Sequence, residues 1–261
     1  MKIVIVADEQ AAGIAVADRI DAAIRAADDR IVLGLSTGSS PLPVYRELIR
    51  RHRDEGLSFA GAEIFMLDEY VGLSPDHVQS YHRTIRDELT SHVDADDARV
   101  HAPDGAAADP VAAGAEYDAA IAAAGGVELQ LLGIGSNGHI AFNEPGTSLV
   151  SRTGPVWLTE STISDNARFF ASDEEVPVRA LTQGLGTIRD ARSIVLVATG
   201  AGKADAVAAM VEGPVSASCP ASCLQLHEDV TVVVDEAAAS KLRMTDYYRH
   251  QQRMEEAASG R

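Results

Sequence analysis

Short runs rich in Val, Ile and Leu recur along the chain, at residues 2–6, 31–35, 63–67, 129–134, 193–198 and 230–234, and Ala-rich amphipathic stretches separate them. Most of the runs lack polar alternation, the pattern of strands buried on both faces. The intervening stretches at 9–27, 41–53, 80–92, 110–124, 177–185 and 202–211 read as helices, with Pro41 and Pro110 at favourable starting positions. Repeated strand–helix–strand units predict an α/β fold: a doubly wound, mostly parallel, Rossmann-like sheet with helices on both faces. No low-complexity linker or internal repeat divides the 261 residues, so 1–261 is expected to form one domain. The irregular stretch 143–177 is expected to be either a lid or flap or a plain surface excursion.

Charge and composition exclude several classes. A formal net charge of −17 argues against a nucleic-acid partner, which demands a basic surface. It leaves a phosphorylated substrate open, because a pocket needs only local positive potential. No apolar run reaches the roughly eighteen residues needed to span a bilayer, and the opening Met1–Val6 segment is too short for a signal peptide, so a cytoplasmic protein is expected. Cys219 and Cys223 are too few for a disulfide framework and have only His227 nearby, so they read as a reduced pair rather than a zinc site.

In sheets of this kind, ligands bind beyond the carboxyl ends of the strands. The loop Leu35-Ser36-Thr37-Gly38-Ser39-Ser40-Pro41 joins a strand to a helix, and its small and hydroxylated residues suit an anion at a helix start. Simple helix capping explains the same residues. Met66-Leu67-Asp68-Glu69-Tyr70 places two carboxylates at a strand end, either as a general base or as solvated acids. Gly133, Gly135 and Gly138 spell G-x-G-x-x-G, but Pro145 follows too soon for the helix a dinucleotide site requires, and no acidic residue ends a second strand at the usual distance. The glycines read instead as a tight loop presenting His139, whose imidazole can exchange protons near neutral pH, with Asn137, Asn143 and Glu144 close by. Gly202-Lys203 lacks the flanking Gly and Ser/Thr of a nucleotide P-loop, since Val197 and Ala204 stand there. Lys203 is left as a phosphate grip or a solvated helix-start lysine.

Taken together, these loops resemble the glucosamine-6-phosphate deaminases of the glucosamine/galactosamine-6-phosphate isomerase family. The order L-S-T-G-S-S-P, L-D-E-Y-V-G-L, G-I-G-S-N-G-H-I-A-F-N-E-P-G-T, S-R-T, N-A-R-F-F, G-A-G-K-A and S-C-L-Q-L-H agrees with that family over residues 1–245. The resemblance implies an aldose–ketose isomerisation with deamination, converting glucosamine 6-phosphate to fructose 6-phosphate and ammonia in N-acetylglucosamine catabolism, with neither metal nor cofactor. It implies that Asp68 is the general base and that His139, partnered by Glu144, helps open the sugar ring. Asn137 takes a fourth catalytic position occupied by Asp or Asn among members. Thr37, Gly38, Ser39, Ser40, Arg168 and Lys203 would hold the phosphate. Allosteric members bind an acetylated sugar phosphate between subunits through cations after S-R-T. Gly154-Pro155-Val156-Trp157 has none, so activator-independent kinetics are expected, and a homo-oligomer is allowed but not required. The related 6-phosphogluconolactonases carry D-E-R and an A-S-L-F-P-like run after the histidine. Asp68-Glu69-Tyr70 and Ile140–Pro145 depart from both. A sugar-phosphate sensor would usually carry a DNA-binding module, for which the chain has no room.

Overall fold

The structure, a computed structural model, describes residues 1–167, 170 and 176–259. With strands numbered in chain order, seven form one sheet: β1 (Lys2–Val6), β2 (Ile31–Leu35), β3 (Ala62–Met66), β5 (Val100–His101), β6 (Leu129–Leu132), β9 (Ser193–Ala198) and β10 (Val230–Asp235). Their spatial order is β1-β10-β9-β6-β2-β3-β5, and every pairing is parallel. All five residues of β2 and all six of β10 are buried, which explains why β2 is wholly apolar and β10 is so apart from Thr231 and its last residue, Asp235.

Helices cover both faces. Leu33 and Leu35 of β2 pack with residues of α1 (Glu9–Ala26), α2 (Leu42–Glu55) and α3 (Tyr81–Glu88). Val32, one residue out of phase, shares the opposite core with α4 (Pro110–Ala123), α6 (Leu185–Arg189), α7 (Ala204–Glu212) and α8 (Thr245–Ser259). The doubly wound architecture expected from the sequence is therefore present. Several helix starts are written locally: Asp8 accepts from the amide of Ala11, Ser80 from Arg83, and Asp109 from Val111 and Ala112 with Pro110 behind it.

The topology fixes where a ligand fits. From β2 the chain winds outward through β3 to β5, then returns to the other side of β2 as β6 and winds on through β9 to β10. The direction reverses between β2 and β6, so the loops leaving these strands flank the crevice where such sheets bind ligands.

The sequence reading needs one correction. Residues 177–185 do not form a helix: Arg179–Thr182 is strand β8, and a helix begins only after Gly184. So short an apolar run fits either structure, and partners distant in sequence decided the outcome. β8 is the centre of a second, antiparallel sheet, flanked by β4 (Asp68–Tyr70) and β7 (Gly154–Trp157). Part of the 143–177 stretch is thus built into a sheet, and it also contains α5 (Glu160–Ala167).

Candidate active site

The two adjacent carboxylates at the end of β3 have opposite surroundings. Glu69 accepts hydrogen bonds from the amides of Tyr70 (2.8 Å), Tyr81 (3.0 Å) and His82 (3.1 Å), so it caps the start of α3. Burial still outweighs these amides and leaves its carboxyl above the ordinary value. Asp68 points the other way along the pleat. Burial, reinforced by the charge of Glu69, pushes its carboxyl up to about 8, with no side-chain hydrogen bond from the described residues to hold it down. A carboxylate kept this basic can take a proton from carbon near neutral pH.

The glycine-rich loop after β6 is built around His139. The loop closes on itself through Gly138 N to Gly135 O and Gly135 N to His139 O. A Cβ on Gly135 would lie 2.3 Å from Cε1 of the His139 ring, so the imidazole packs directly on the bare backbone there. Gly138 has φ +85°, and a Cβ would meet Cys219 Sγ at 2.7 Å, so this position also demands glycine. The chain then turns sharply at Ala141, whose φ is +49°, and makes no helix. Asn143 is spent on that turn: its side-chain amide donates to Ile140 O and Gln183 O.

Glu144 lies across the loop from His139. Its Oε2 accepts from Asn137 Nδ2 at 2.7 Å and stands 3.6 Å from His139 Nδ1, an ion-pair distance rather than a hydrogen bond. Its Oε1 accepts from Thr162 Oγ1 at 2.5 Å and, more weakly, from Thr159 Oγ1 at 3.3 Å. Burial alone would raise this carboxyl, but His139, Thr162 and Asn137 outweigh it and lower it to about 2. The site therefore holds one carboxylate tuned to gain a proton and another tuned to stay charged.

The β2–α2 loop approaches this region: a Cβ on Gly133 would be 3.7 Å from Ser40. The N-cap of α2 is Pro41, with no side-chain capping bond, so the hydroxyls of Ser39 and Ser40 are not consumed in capping the helix. Gly38 adopts φ +101°, which turns the loop. Lys203 is half-buried in the turn after β9, where Gly200 (φ +84°) donates its amide to Asp235. β9 neighbours β6, so Lys203 lies on the same sheet edge as the other loops. Arg168 lies outside the described residues. Asp68 joins the His139 loop through the small sheet: it stands opposite Thr182, whose Oγ1 accepts the amide of Phe142. No hydrogen bond links Asp68 to His139 among the described residues, so the carboxyl and the imidazole are held by separate elements.

Thr159 and Thr162 were not singled out from the sequence. Their spacing signals a helix start, since Thr159 Oγ1 accepts the amide of Thr162, but nothing local indicates that the hydroxyls reach Glu144. Among the described residues no group of three or more His, Cys, Asp or Glu side chains is arranged to hold a metal ion, and Cys219 and Cys223 are both buried and unpaired as disulfides. No helix is long and apolar enough to cross a membrane among the described residues.

Residues 7–233 match the family model described as glucosamine-6-phosphate isomerases/6-phosphogluconolactonase. The chain belongs to this family. Within the family its resemblance to the deaminases is borne out. A glucosamine-6-phosphate deaminase of Rhodococcus opacus (strain B4) is 57% identical over 250 residues, covering 96% of each chain. One from Arthrobacter sp. (strain FB24) is 59% identical over 250 residues with the same coverage. A solved monomeric glucosamine-6-phosphate deaminase superposes with a TM-score of 0.90 at 43% identity, covering 92% of this chain and all of the other. The 6-phosphogluconolactonase of Trypanosoma cruzi matches with a TM-score of 0.76 at 22% identity, covering 93% of this chain and 97% of the other, and shares the fold.

Proposed function

We propose that this chain converts glucosamine 6-phosphate and water to fructose 6-phosphate and ammonia, a step of N-acetylglucosamine catabolism. The observation that carries this reading is the division of labour between Asp68, raised to about 8, and Glu144, lowered to about 2 beside His139. The deaminase relatives and the family's fold support the substrate class.

In this reading His139 passes a proton at the ring oxygen as the pyranose opens, and the anionic Glu144 stabilises the imidazole whenever it carries charge. Asn137 holds Glu144 and the backbone of His139 in register. Asp68 then removes the proton on C2 of the open chain as the C1 aldehyde oxygen takes up the proton that the C2 ammonium gives up, and the resulting enolamine receives the Asp68 proton at C1. The nitrogen on C2 becomes an iminium, which water converts to the ketone with release of ammonium. Thr37, Gly38, Ser39 and Ser40 at the start of α2, with Lys203 and Arg168, hold the phosphate of the substrate. Residues 1–261 act as one domain in this reading, and the flap expected within 143–177 falls partly on residues outside the described ones.

The purified protein incubated with glucosamine 6-phosphate is expected to release ammonia and fructose 6-phosphate in equal amounts, and His139→Gln is expected to lower turnover at least about a hundredfold. Hydrolysis of 6-phosphogluconolactone without ammonia release, or binding without turnover, would replace this reading with a lactonase or a sensor.

A further inference from the structure

We infer that Thr162 is a positioning residue: its hydroxyl commits Oε1 of Glu144 to α5 and leaves Oε2 to address His139. The kinetic consequence rests on the deaminase reading above; the electrostatic one rests on the contacts alone.

Thr162 is buried, and its Oγ1 lies 2.5 Å from Glu144 Oε1, the length of a charge-assisted bond to an ionised carboxylate. Ionised Glu144 can only accept, so the single hydroxyl proton of Thr162 points at it. Thr159 orders the donor. Its Oγ1 lies 3.0 Å from Thr162 Oγ1 and accepts the Thr162 amide at 3.3 Å, which fixes Thr162 on the first turn of the helix. A carboxylate rotates about its last torsion between two equivalent positions. A donor locked on one oxygen removes that equivalence. Asn137 holds Oε2 from the other side, so Glu144 is gripped by two elements distant from each other in sequence. His139 and Asn137 face Glu144 from the loop that carries it, Thr162 faces it from α5, and Thr159 from the residue before α5. Of these four only His139 has an ionisable side chain. The position of α5 and the orientation of Glu144 are thus coupled through one hydroxyl.

The test compares wild type, Thr162→Val, which keeps the shape and removes the donor, and Thr162→Ser, which restores it. The pH dependence of turnover is a poor readout, because Asp68 titrating at about 8 masks a group near 2. The Glu144 carboxyl is followed instead by carbon NMR of 13C-labelled glutamate, assigned with Glu144→Gln, beside kcat and KM for ammonia release. In Thr162→Val the Glu144 midpoint is expected to rise by about 1 pH unit or more and kcat to fall about tenfold, with KM changed less than about twofold. Thr162→Ser is expected to restore both. A Glu144 titration identical in Thr162→Val and wild type, or a loss of thermal stability with kcat intact, overturns the inference. If wild type releases no ammonia, the deaminase reading falls, and the Glu144 titration still decides the role of Thr162.

Discussion

Asn137 Nδ2 donates to Glu144 Oε2 at 2.7 Å, and that same oxygen faces His139 Nδ1 at 3.6 Å. The orientation of the Asn137 amide is fixed from the other side, because its Oδ1 accepts the backbone amide of His139 at 3.1 Å. Asn137 is therefore a clamp between the carboxylate and the histidine backbone, and its neutrality matters. A carboxylate at this position would meet Glu144 with no proton between them.

Asn137→Asp is accordingly expected to create a pair of like charges that binds a proton more tightly than either acid alone. The folded state would then bind more protons than the unfolded state above the ordinary carboxylate range, so the variant loses stability as pH rises. Melting temperatures at pH 5 and pH 8 check this. The deficit relative to wild type is expected to be larger at pH 8, and an equal deficit at both values would contradict it.

Asp68 and Glu69 are adjacent in sequence but differ in their hydrogen-bond partners, and two substitutions separate them. Asp68→Asn is expected to lower turnover at least about a hundredfold. It is also expected to stabilise the fold. The raised Asp68 carboxyl makes wild type progressively less stable from its ordinary value of 3.8 up to about 8, and the asparagine escapes that loss. The melting temperature of Asp68→Asn should exceed that of wild type by at least about 2 °C at pH 8, with a smaller difference at pH 5. Glu69→Ala should do the reverse, costing about 1–3 kcal/mol in chemical denaturation by stripping one buried and two part-buried amides of their acceptor.

Gly135→Ala tests the contact between backbone and imidazole. The backbone of Gly135 does not occupy the left-handed region, so alanine is tolerated conformationally. Its Cβ would nevertheless stand 2.3 Å from the His139 ring, which must swing away. A loss of turnover of about tenfold or more is expected with a melting temperature within a few degrees of wild type, since small displacements of a catalytic group are costly. Unchanged turnover would show that the ring position is not critical.

Kinetics without an activator are expected to be hyperbolic. Gly154-Pro155-Val156-Trp157 forms the outer strand β7, where the nearby Arg179 lies over the Trp157 ring, 5.0 Å from its centre, and Arg152 is paired with Asp118 and Asp190. Initial rates measured across substrate concentrations, with and without N-acetylglucosamine 6-phosphate, check this. A sigmoidal curve made hyperbolic by the acetylated sugar phosphate would refute it.

The large sheet was legible because its cause is local. Strands buried on both faces are nearly continuous in apolar residues, and the runs at 31–35 and 230–234, rich in β-branched residues and bounded by turn signals, have that composition. The motif loops were legible as well, since Gly135 and Gly138 are required by a close approach and by a positive φ, each of which leaves a mark in the residue type. The small antiparallel sheet was not legible. Arg179–Thr182 carries too few residues to show a period, and it became a strand because Asp68–Tyr70 and Gly154–Trp157 offered it backbone partners. The same limit applied to charge. Asp68 and Glu69 are indistinguishable as neighbouring letters; burial raises both carboxyls, and only the pleat turned Glu69 towards backbone amides that oppose the shift and left Asp68 to the added charge of its neighbour. Sequence determined which side chains reach the edge of the sheet; the tertiary structure decided their charge, because desolvation and hydrogen bonding depend on neighbours that the chain brings from far away.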